Sequence, residues 1–194
     1  MTLESPPLRA DALRNRGAII CAAASLFAID GVNVTLERVA HAAGVGVATV
    51  YRRFPTIDSL ISVVLEKKMI GFADRAQQAA DDAALRPWEA FRDFVLYIVE
   101  EQAADFGFSE IVRSTSRCDD LFPEQSRRAV AASAALITRA RDAGVVRPDL
   151  VPADLHLLMS ANSGVIRELH SREASTRLAE LLLEAYRSGA RSSH

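Results

Sequence analysis

The chain has 194 residues, of which 49% are hydrophobic and 25% are charged, and its formal net charge is −2. This composition is typical of a globular chain with a buried core, and the net charge argues against a wholesale nucleic-acid binder. The two cysteines, Cys21 and Cys118, exclude a disulfide framework, and no further Cys or His lies at zinc-ligand spacing. We therefore expect no metal and no other cofactor.

The distribution of charge is more informative than its total. Residues 1–55 carry six arginines against four acidic residues, a net charge of +2, which leaves −4 for the remainder. A basic N-terminal unit on an acidic body suits a protein that presents one end to phosphate groups. The N-terminus lacks the apolar run of a signal peptide, and no apolar run approaches the roughly 18 residues of a membrane span, so we expect a cytoplasmic protein.

Helix is predicted throughout, because apolar residues recur at steps of three and four and no stretch alternates as a strand would. We expect an all-α fold of nine helices. In the first of them, Leu13, Ile20, Ala23 and Phe27 form the predicted apolar stripe, and Cys21 is interpreted as a small core residue. The predicted helices span residues 9–30, 36–43, 47–54, 57–83, 87–105, 109–116, 123–143, 152–168 and 174–187, with a break at Phe106-Gly107.

The most informative stretch is TLERVAHAAGVGVATVYRRF, residues 35–54, in which two short predicted helices flank Gly44-Val45-Gly46. Thr35 is a good N-cap, Ala40 is small enough for two helices to approach, and Gly44 tolerates the positive φ of a tight turn. This pattern predicts a helix-turn-helix whose second helix enters a DNA major groove. The apolar inner face would come from Val39, Ala43 and Val50.

The outward residues of the second helix suit DNA. Val47, Ala48 and Thr49 are small, so the helix can approach the groove floor and touch a thymine methyl group or a base acceptor. Tyr51, Arg52 and Arg53 offer a phenol and two guanidinium groups to phosphate, with core packing of the ring and solvated charge as the alternatives. The predicted DNA contacts are Thr35, Arg38, Gly46, Val47, Ala48, Thr49, Tyr51, Arg52, Arg53 and Thr56.

Three members of this set lie outside the second helix. Thr35 and Thr56 precede predicted helices, whose free N–H groups and dipole favour a phosphate oxygen. Arg38 lies on the first helix of the motif, where a salt bridge is the alternative to a DNA contact.

Two patterns stand at fixed spacing in this region: Phe27-Ala28-x-x-Gly31, then Thr35-Leu36-x-x-Val39-Ala40-x-x-Ala43-Gly44-Val45-Gly46-x-x-Thr49-Val50-Tyr51-x-x-Phe54-Pro55. In these residues the chain resembles the N-terminal domain of the TetR family of bacterial transcriptional regulators. The resemblance covers about residues 10–65, and beyond it the chain is similar only in helix count and length. The family pattern has Lys or Arg after the Phe-Pro-Thr that opens the fourth helix. This sequence has Ile57, so one phosphate contact is expected to be missing.

The resemblance implies a nine-helix TetR-like architecture with a disordered arm at 1–8, a DNA-binding domain at 9–55, a ligand-binding and dimerisation domain at 56–189 and a frayed tail at 190–194. It implies a ligand-responsive repressor that binds a palindromic, double-stranded operator as a homodimer, through its eighth and ninth helices. The fourth to seventh helices would enclose a small-molecule effector, whose entry shifts the fourth helix and releases the operator. Apolar residues expected at the dimer interface are Leu155, Leu158, Met159, Leu178, Leu181, Leu182 and Tyr186.

Candidate ligand-binding residues follow the aromatic stripe of the fifth and sixth predicted helices, for which core packing is the alternative. Ligand pockets are mostly apolar with a few polar groups, and Asn162 in an apolar helix could be such a group or a polar spot in the dimer seam. The thiol of Cys118 lies beside two aspartates that should raise its pKa, so no redox sensor is expected. The candidates are Phe72, Phe91, Phe94, Ile98, Phe108 and Asn162.

Two other function classes are disfavoured. A helical di-iron enzyme needs Glu-x-x-His pairs, which are absent, as are nucleophile-elbow and phosphate-loop signatures, so we expect no enzyme. A protein-binding adaptor would have no reason to place Thr35, Tyr51 and Arg52 around a small-residue turn.

Overall fold

The computed structural model describes residues 7–187 and contains, within that range, ten helices and no strand. The predicted all-α class is confirmed. The helices are α1 (Pro7–Asp30), α2 (Leu36–Ala43), α3 (Val47–Arg53), α4 (Ile57–Asp82), α5 (Pro87–Ala104), α6 (Phe106–Arg113), α7 (Thr115–Leu121), α8 (Pro123–Asp142), α9 (Pro152–Leu169) and α10 (Arg172–Tyr186).

The described helices number ten rather than nine because the chain divides differently after α5. The side chain of Asp105 accepts a hydrogen bond from the Phe108 N–H at 2.9 Å, so it caps a helix that begins at Phe106. The predicted break at Phe106-Gly107 lies instead at Asp105, between α5 and α6, and a second, unpredicted break at Ser114 separates α6 from a further helix, α7. The predicted eighth and ninth helices correspond to α9 and α10.

Helix α1 differs from its prediction at both its start and its buried face. It begins at Pro7, a residue type that the first turn of a helix tolerates, so residues 7 and 8 do not belong to a disordered arm. The rest of the predicted arm and the predicted tail lie outside the described residues. Leu13 is 70% exposed and Cys21 is exposed, because the buried face follows Ile19, Ala23 and Phe27.

By length and composition alone, the segment Asp11–Asp30 of α1 could cross a membrane. Its buried residues, however, contribute to the protein core, and α1 packs against α2, α4 and α6. A single segment of this kind is weak evidence for a membrane span.

The body of the molecule is built around α4 and α5. α4 lies along α8, and α5 packs against α4, α8, α9 and α10. Phe72 of α4 lies at the centre of an aromatic cluster, with ring centroids 6.0 Å from Phe94 and 5.7 Å from Phe108. On the other side of α5, Phe91 meets Tyr186 of α10 edge to face at 6.1 Å.

Helix α6 joins the body to the N-terminal helices by two close contacts. A Cβ atom on Gly107 would stand 2.9 Å from both the Cβ and the carbonyl oxygen of Phe27, so only glycine fits where α6 crosses α1. One turn later, the carboxylate of Glu110 accepts the Val32 N–H at 2.8 Å. Gly31 has a φ of 76°, and a side chain there would overlap the Glu110 carboxylate.

Candidate nucleic-acid interface and internal cavity

The turn between α2 and α3 is encoded by its caps. Thr35 Oγ1 accepts the Arg38 N–H at 3.3 Å and starts α2. Gly44 ends α2 in the left-handed region with a φ of 66°, and the following Val45 N–H reaches the Ala40 carbonyl at 3.1 Å. Ala40 is fully buried, as are Val39 and Val50, so both helices turn their outer faces to solvent. This is the geometry of a helix-turn-helix.

The predicted groove-reading residues lie on the solvent side of α3. Gly46, Val47 and Ala48 are exposed and Thr49 is half-buried. Small residues at this end let a helix backbone come close to base edges. The exposed side chains Tyr51, Arg52 and Arg53 complete the outer face of the helix.

A shallow cleft runs between this face and α1. Thr49, Arg52 and Arg53 line one side, and Asn15 and Arg16 of α1 line the other. Asn15 and Arg16 are not among the DNA contacts predicted from the sequence. The excess of arginine in the first 55 residues was the only signal for them, because the side of α1 that meets α3 depends on tertiary packing.

Each arginine of the motif has a partner within the chain. Arg38 pairs with Asp30 at 2.6 Å, the salt bridge that the sequence left open as an alternative. Arg53 donates to the backbone carbonyl of Ala12 at 3.0 Å and so ties α3 to α1. Arg52 donates only to the Thr49 hydroxyl, at 3.2 Å on its own helix. Its side chain is exposed, so its guanidinium group is available to a phosphate.

Tyr51 is linked to α2 by a hydrogen bond. Its phenol donates to Glu37 Oε1 at 2.5 Å, and both side chains are exposed. The hydrogen bond lowers the pKa of Glu37, so this carboxylate is ionised at neutral pH, and it raises the pKa of Tyr51, so the phenol keeps its proton. A negative charge therefore stands beside a predicted phosphate contact, which the sequence analysis had not considered.

The start of α4 contributes a cap but no cation. Thr56 Oγ1 accepts a hydrogen bond from the Ser59 N–H at 3.1 Å, and the Ser59 hydroxyl oxygen accepts one from the Thr56 N–H at 3.4 Å. Ile57 occupies the position of the basic residue in the family pattern. Its side chain is half-buried and packs against the core cluster. The Thr56 hydroxyl remains exposed beside this helix start.

A cavity of about 240 Å³ lies among α4, α5, α6, α7, α8 and α9. Its wall is mainly apolar, and the polar side chains that reach it are Cys118, Ser126, Ser133 and His156. The exposed residues Val130 and Pro152 mark the side on which it meets solvent, between α8 and α9. The apolar wall includes Met69, Phe72, Ile98, Val112, Leu155 and Met159.

Of the six predicted ligand-binding residues, Phe72 and Ile98 line this cavity and the other four do not. Phe91, Phe94 and Phe108 are almost fully buried in the aromatic core, so the core-packing alternative holds for them. They do not border this cavity, and an aromatic stripe on a helix does not reveal which of its members border a void.

Asn162 belongs to a buried polar network beside the cavity. Its amide donates to Gln102 Oε1 at 3.0 Å, and Gln102 in turn donates to the Met159 carbonyl at 3.2 Å and the Ser163 hydroxyl at 3.3 Å. Ser163 and Ser109 share a hydrogen bond of 2.7 Å. This network fastens α5 and α6 to α9, and so Asn162 serves packing between helices rather than the cavity wall.

Cys118 is a neutral thiol in the cavity wall. Burial, with a smaller contribution from Asp119, raises its pKa to about 11, in the direction that the sequence predicted but for a different main reason. The residues that the structure describes hold no cluster of three or more His, Cys, Asp or Glu side chains suited to a metal ion.

The models of two protein families match parts of this chain. The description "Bacterial regulatory proteins, tetR family" matches residues 19–64, and "Transcriptional regulator SbtR-like, C-terminal domain" matches residues 86–190. A curated relative, the HTH-type transcriptional regulator SAB2452 of Staphylococcus aureus (strain bovine RF122 / ET3-1), is 34% identical over 76 residues. That match spans 39% of this chain and 41% of the relative's length.

Solved structures match over nearly the whole chain. A TetR transcription regulatory protein from Mycobacterium vanbaalenii is 30% identical, covers 93% of this chain and 99% of its own, and has a TM-score of 0.52. The TetR regulator SCO0520 from Streptomyces coelicolor is 27% identical, covers 90% of this chain and 99% of its own, and has a TM-score of 0.57. With its helix-turn-helix and helical body, this chain belongs to the TetR family of bacterial transcriptional regulators and is a DNA-binding protein rather than an enzyme.

Proposed function

We propose that the chain is a transcriptional repressor that binds a palindromic operator as a homodimer and leaves it when a small molecule enters the cavity. The observation that carries the proposal is the solvent-facing surface of α3. It combines small residues at the helix start with Arg52 and the nearby Arg16 of α1. Base edges are read by close approach, and phosphates are held by guanidinium groups.

The proposed division of labour follows the fold. Residues up to about 55 read DNA, and residues from about 56 bind the effector and the second copy, all in the cytoplasm where the operator is. The direct operator contacts are the ten predicted residues, with Arg52 and Tyr51 as the main phosphate ligands. Arg38 and Arg53 also orient the helix-turn-helix relative to α1. Arg38 is bound to Asp30, and Arg53 is bound to the carbonyl of Ala12.

Support for the dimer comes from α9 and α10. Leu157 is 64% exposed and Leu181 is 53% exposed, and they lie on the two helices for which the family resemblance implies a dimer interface, where a second copy would cover them. The proposed interface adds Leu157 to the predicted residues and leaves out three of them. Leu155, Leu158 and Tyr186 are buried within the protomer and are not available to a partner.

The first test is binding to genomic fragments that carry the chain's own promoter, measured over a range of salt concentrations. The double variant Arg52→Ala, Tyr51→Phe should bind about 10-fold to 100-fold more weakly, with a shallower salt dependence, because it loses phosphate contacts in both protomers. Arg92→Ala is the matched control, since Arg92 is an exposed arginine on α5 whose ion pair is with Asp93. Binding that is equal for all DNA sequences would contradict the proposal.

Glu37→Gln should increase DNA affinity, by roughly threefold to tenfold at low salt, because it removes a negative charge next to a phosphate site. The amide oxygen can still accept the Tyr51 hydrogen bond, so the phenol keeps its orientation. The gain should shrink as salt screens the charge, and titrations at two salt concentrations measure this. Glu89→Gln on α5 removes the same charge far from α3 and should change nothing. Weaker binding by the Glu37 variant would show that the carboxylate helps DNA binding.

A further inference from the structure

We infer that the molecule accepted by the cavity is small, uncharged and largely apolar, with one hydrogen-bonding group that meets His156 and Ser133. This inference rests on the proposed function for its biological meaning, but the cavity's chemistry carries it. It names the effector's class, which the family relationship leaves open.

The lining disfavours a charged group inside the cavity. None of the residues around the cavity is Asp, Glu, Lys or Arg. A carboxylate or ammonium group moved from water into such a wall loses its hydration without gaining a partner of opposite charge, which is strongly unfavourable. The carboxylate of Asp119, next to the lining residue Cys118 in the chain, accepts a hydrogen bond from the Ser126 hydroxyl.

The available polar groups are few. Cys118 is a neutral thiol, and the Ser126 hydroxyl is used in its bond to Asp119. Ser133 and His156 form no hydrogen bond with another described residue through their side chains, and both are partly exposed on the α8 and α9 sides of the cavity. A ligand can therefore place one hydroxyl or carbonyl group there while its apolar part faces Phe72, Ile98 and Met159.

The volume sets the size of the ligand. An apolar protein cavity of about 150 Å³ holds a benzene molecule. The cavity of about 240 Å³ has room for a fused pair of rings or an aliphatic molecule of similar bulk, about ten to twelve non-hydrogen atoms. Acyl-coenzyme A thioesters and long-chain fatty acids are too large or carry charge.

A series of naphthalene derivatives tests this directly. Calorimetric titration of the full chain without DNA should show saturable binding of 2-naphthol, and of naphthalene about threefold to tenfold more weakly because it lacks the hydrogen bond. The charged analogues 2-naphthoate and 2-naphthylmethylammonium should bind at least about 100-fold more weakly than 2-naphthol. Tight binding of either charged analogue, or no saturable binding of the two neutral compounds, would overturn the inference.

Two variants place the binding in this cavity. His156→Leu should reduce the affinity for 2-naphthol to that for naphthalene and leave naphthalene unchanged. Ala129→Leu should fill the cavity and abolish binding of both compounds, whereas Ala131→Leu, on the exposed side of the same helix, should not. Thermal unfolding of each variant shows whether it is folded. Unchanged binding by a folded Ala129→Leu variant would contradict the assigned site.

The outcome is independent of the operator experiment. If 2-naphthol binds but no specific DNA fragment is retained, the ligand class stands and the proposed repressor function fails. If a fragment is retained but the neutral compounds do not bind, the repressor function stands and the ligand class fails.

Discussion

Gly107→Ala is expected to destabilise the protein by about 1–3 kcal/mol, although alanine is the better helix former. The added methyl group would stand 2.9 Å from the backbone carbonyl of Phe27, and backbone cannot move aside as a flexible side chain can. α6 must therefore shift away from α1, which also stretches the bond between Glu110 and Val32. For a chain of this length the midpoint of thermal unfolding should fall by roughly 2–12 °C.

Gly71→Ala is the matched control, because it makes the same chemical change in a helix of the same domain. An added Cβ on Gly71 of α4 meets nothing within 4 Å. This variant should gain about 0.5–1 kcal/mol from helix propensity. The two variants should thus shift the unfolding midpoint in opposite directions at equal protein concentration. Equal shifts, or a stabilised Gly107 variant, would disprove the close approach of α6 and α1.

Leu157→Glu combined with Leu181→Glu should convert the protein to a monomer. Two carboxylates per protomer would be buried in the proposed apolar interface without partners, which is strongly unfavourable. Affinity for a palindromic operator should fall by about 100-fold or more, because the second half-site is then no longer bound from the same molecule. Light scattering and operator titration measure the two effects.

The control for this experiment is Leu85→Glu, which replaces a leucine that is 89% exposed in the turn between α4 and α5. It adds the same charge outside α9 and α10, so the protein should stay dimeric and keep its operator affinity. If the double variant remains dimeric, the proposed interface is wrong. If it is monomeric but binds the operator as tightly as before, the dimer is not needed for DNA binding.

The helix-turn-helix could be predicted from the sequence because its signals are local. A capping threonine at Thr35, a glycine at Gly44 that tolerates a positive φ and an apolar spacing that includes Val39 all act within a few residues. The structure has α2 at the predicted bounds for the same reason.

Features that depend on tertiary packing could not be predicted in this way. Cys21 and Leu13 lie in an apolar helix, but the position of the neighbouring helices decides which of its faces is buried. Phe106-Gly107 has the composition of a break, yet Asp105 caps a helix there and Gly107 is required by the approach to Phe27.

The cavity shows the same limit. Sequence spacing identified Phe72 and Ile98 along with aromatic residues that fill the core. It missed His156 and Ser133, because polar residues on half-exposed helix faces are ordinary unless a void lies beneath them. The pairing of Glu37 with Tyr51 joins residues on two helices, and no local pattern indicates it.

Glu110 and Val112 lie two residues apart on α6, where Glu110 holds the Val32 N–H and Val112 borders the cavity. If a bound molecule weakens operator binding through this helix, the operator must weaken binding of that molecule by the same factor. Copies of the protein free of DNA would then take up the compound first and operator-bound copies last. The dose that switches the gene would therefore rise with the number of free copies in the cell, and the abundance of the protein would set the threshold of its response.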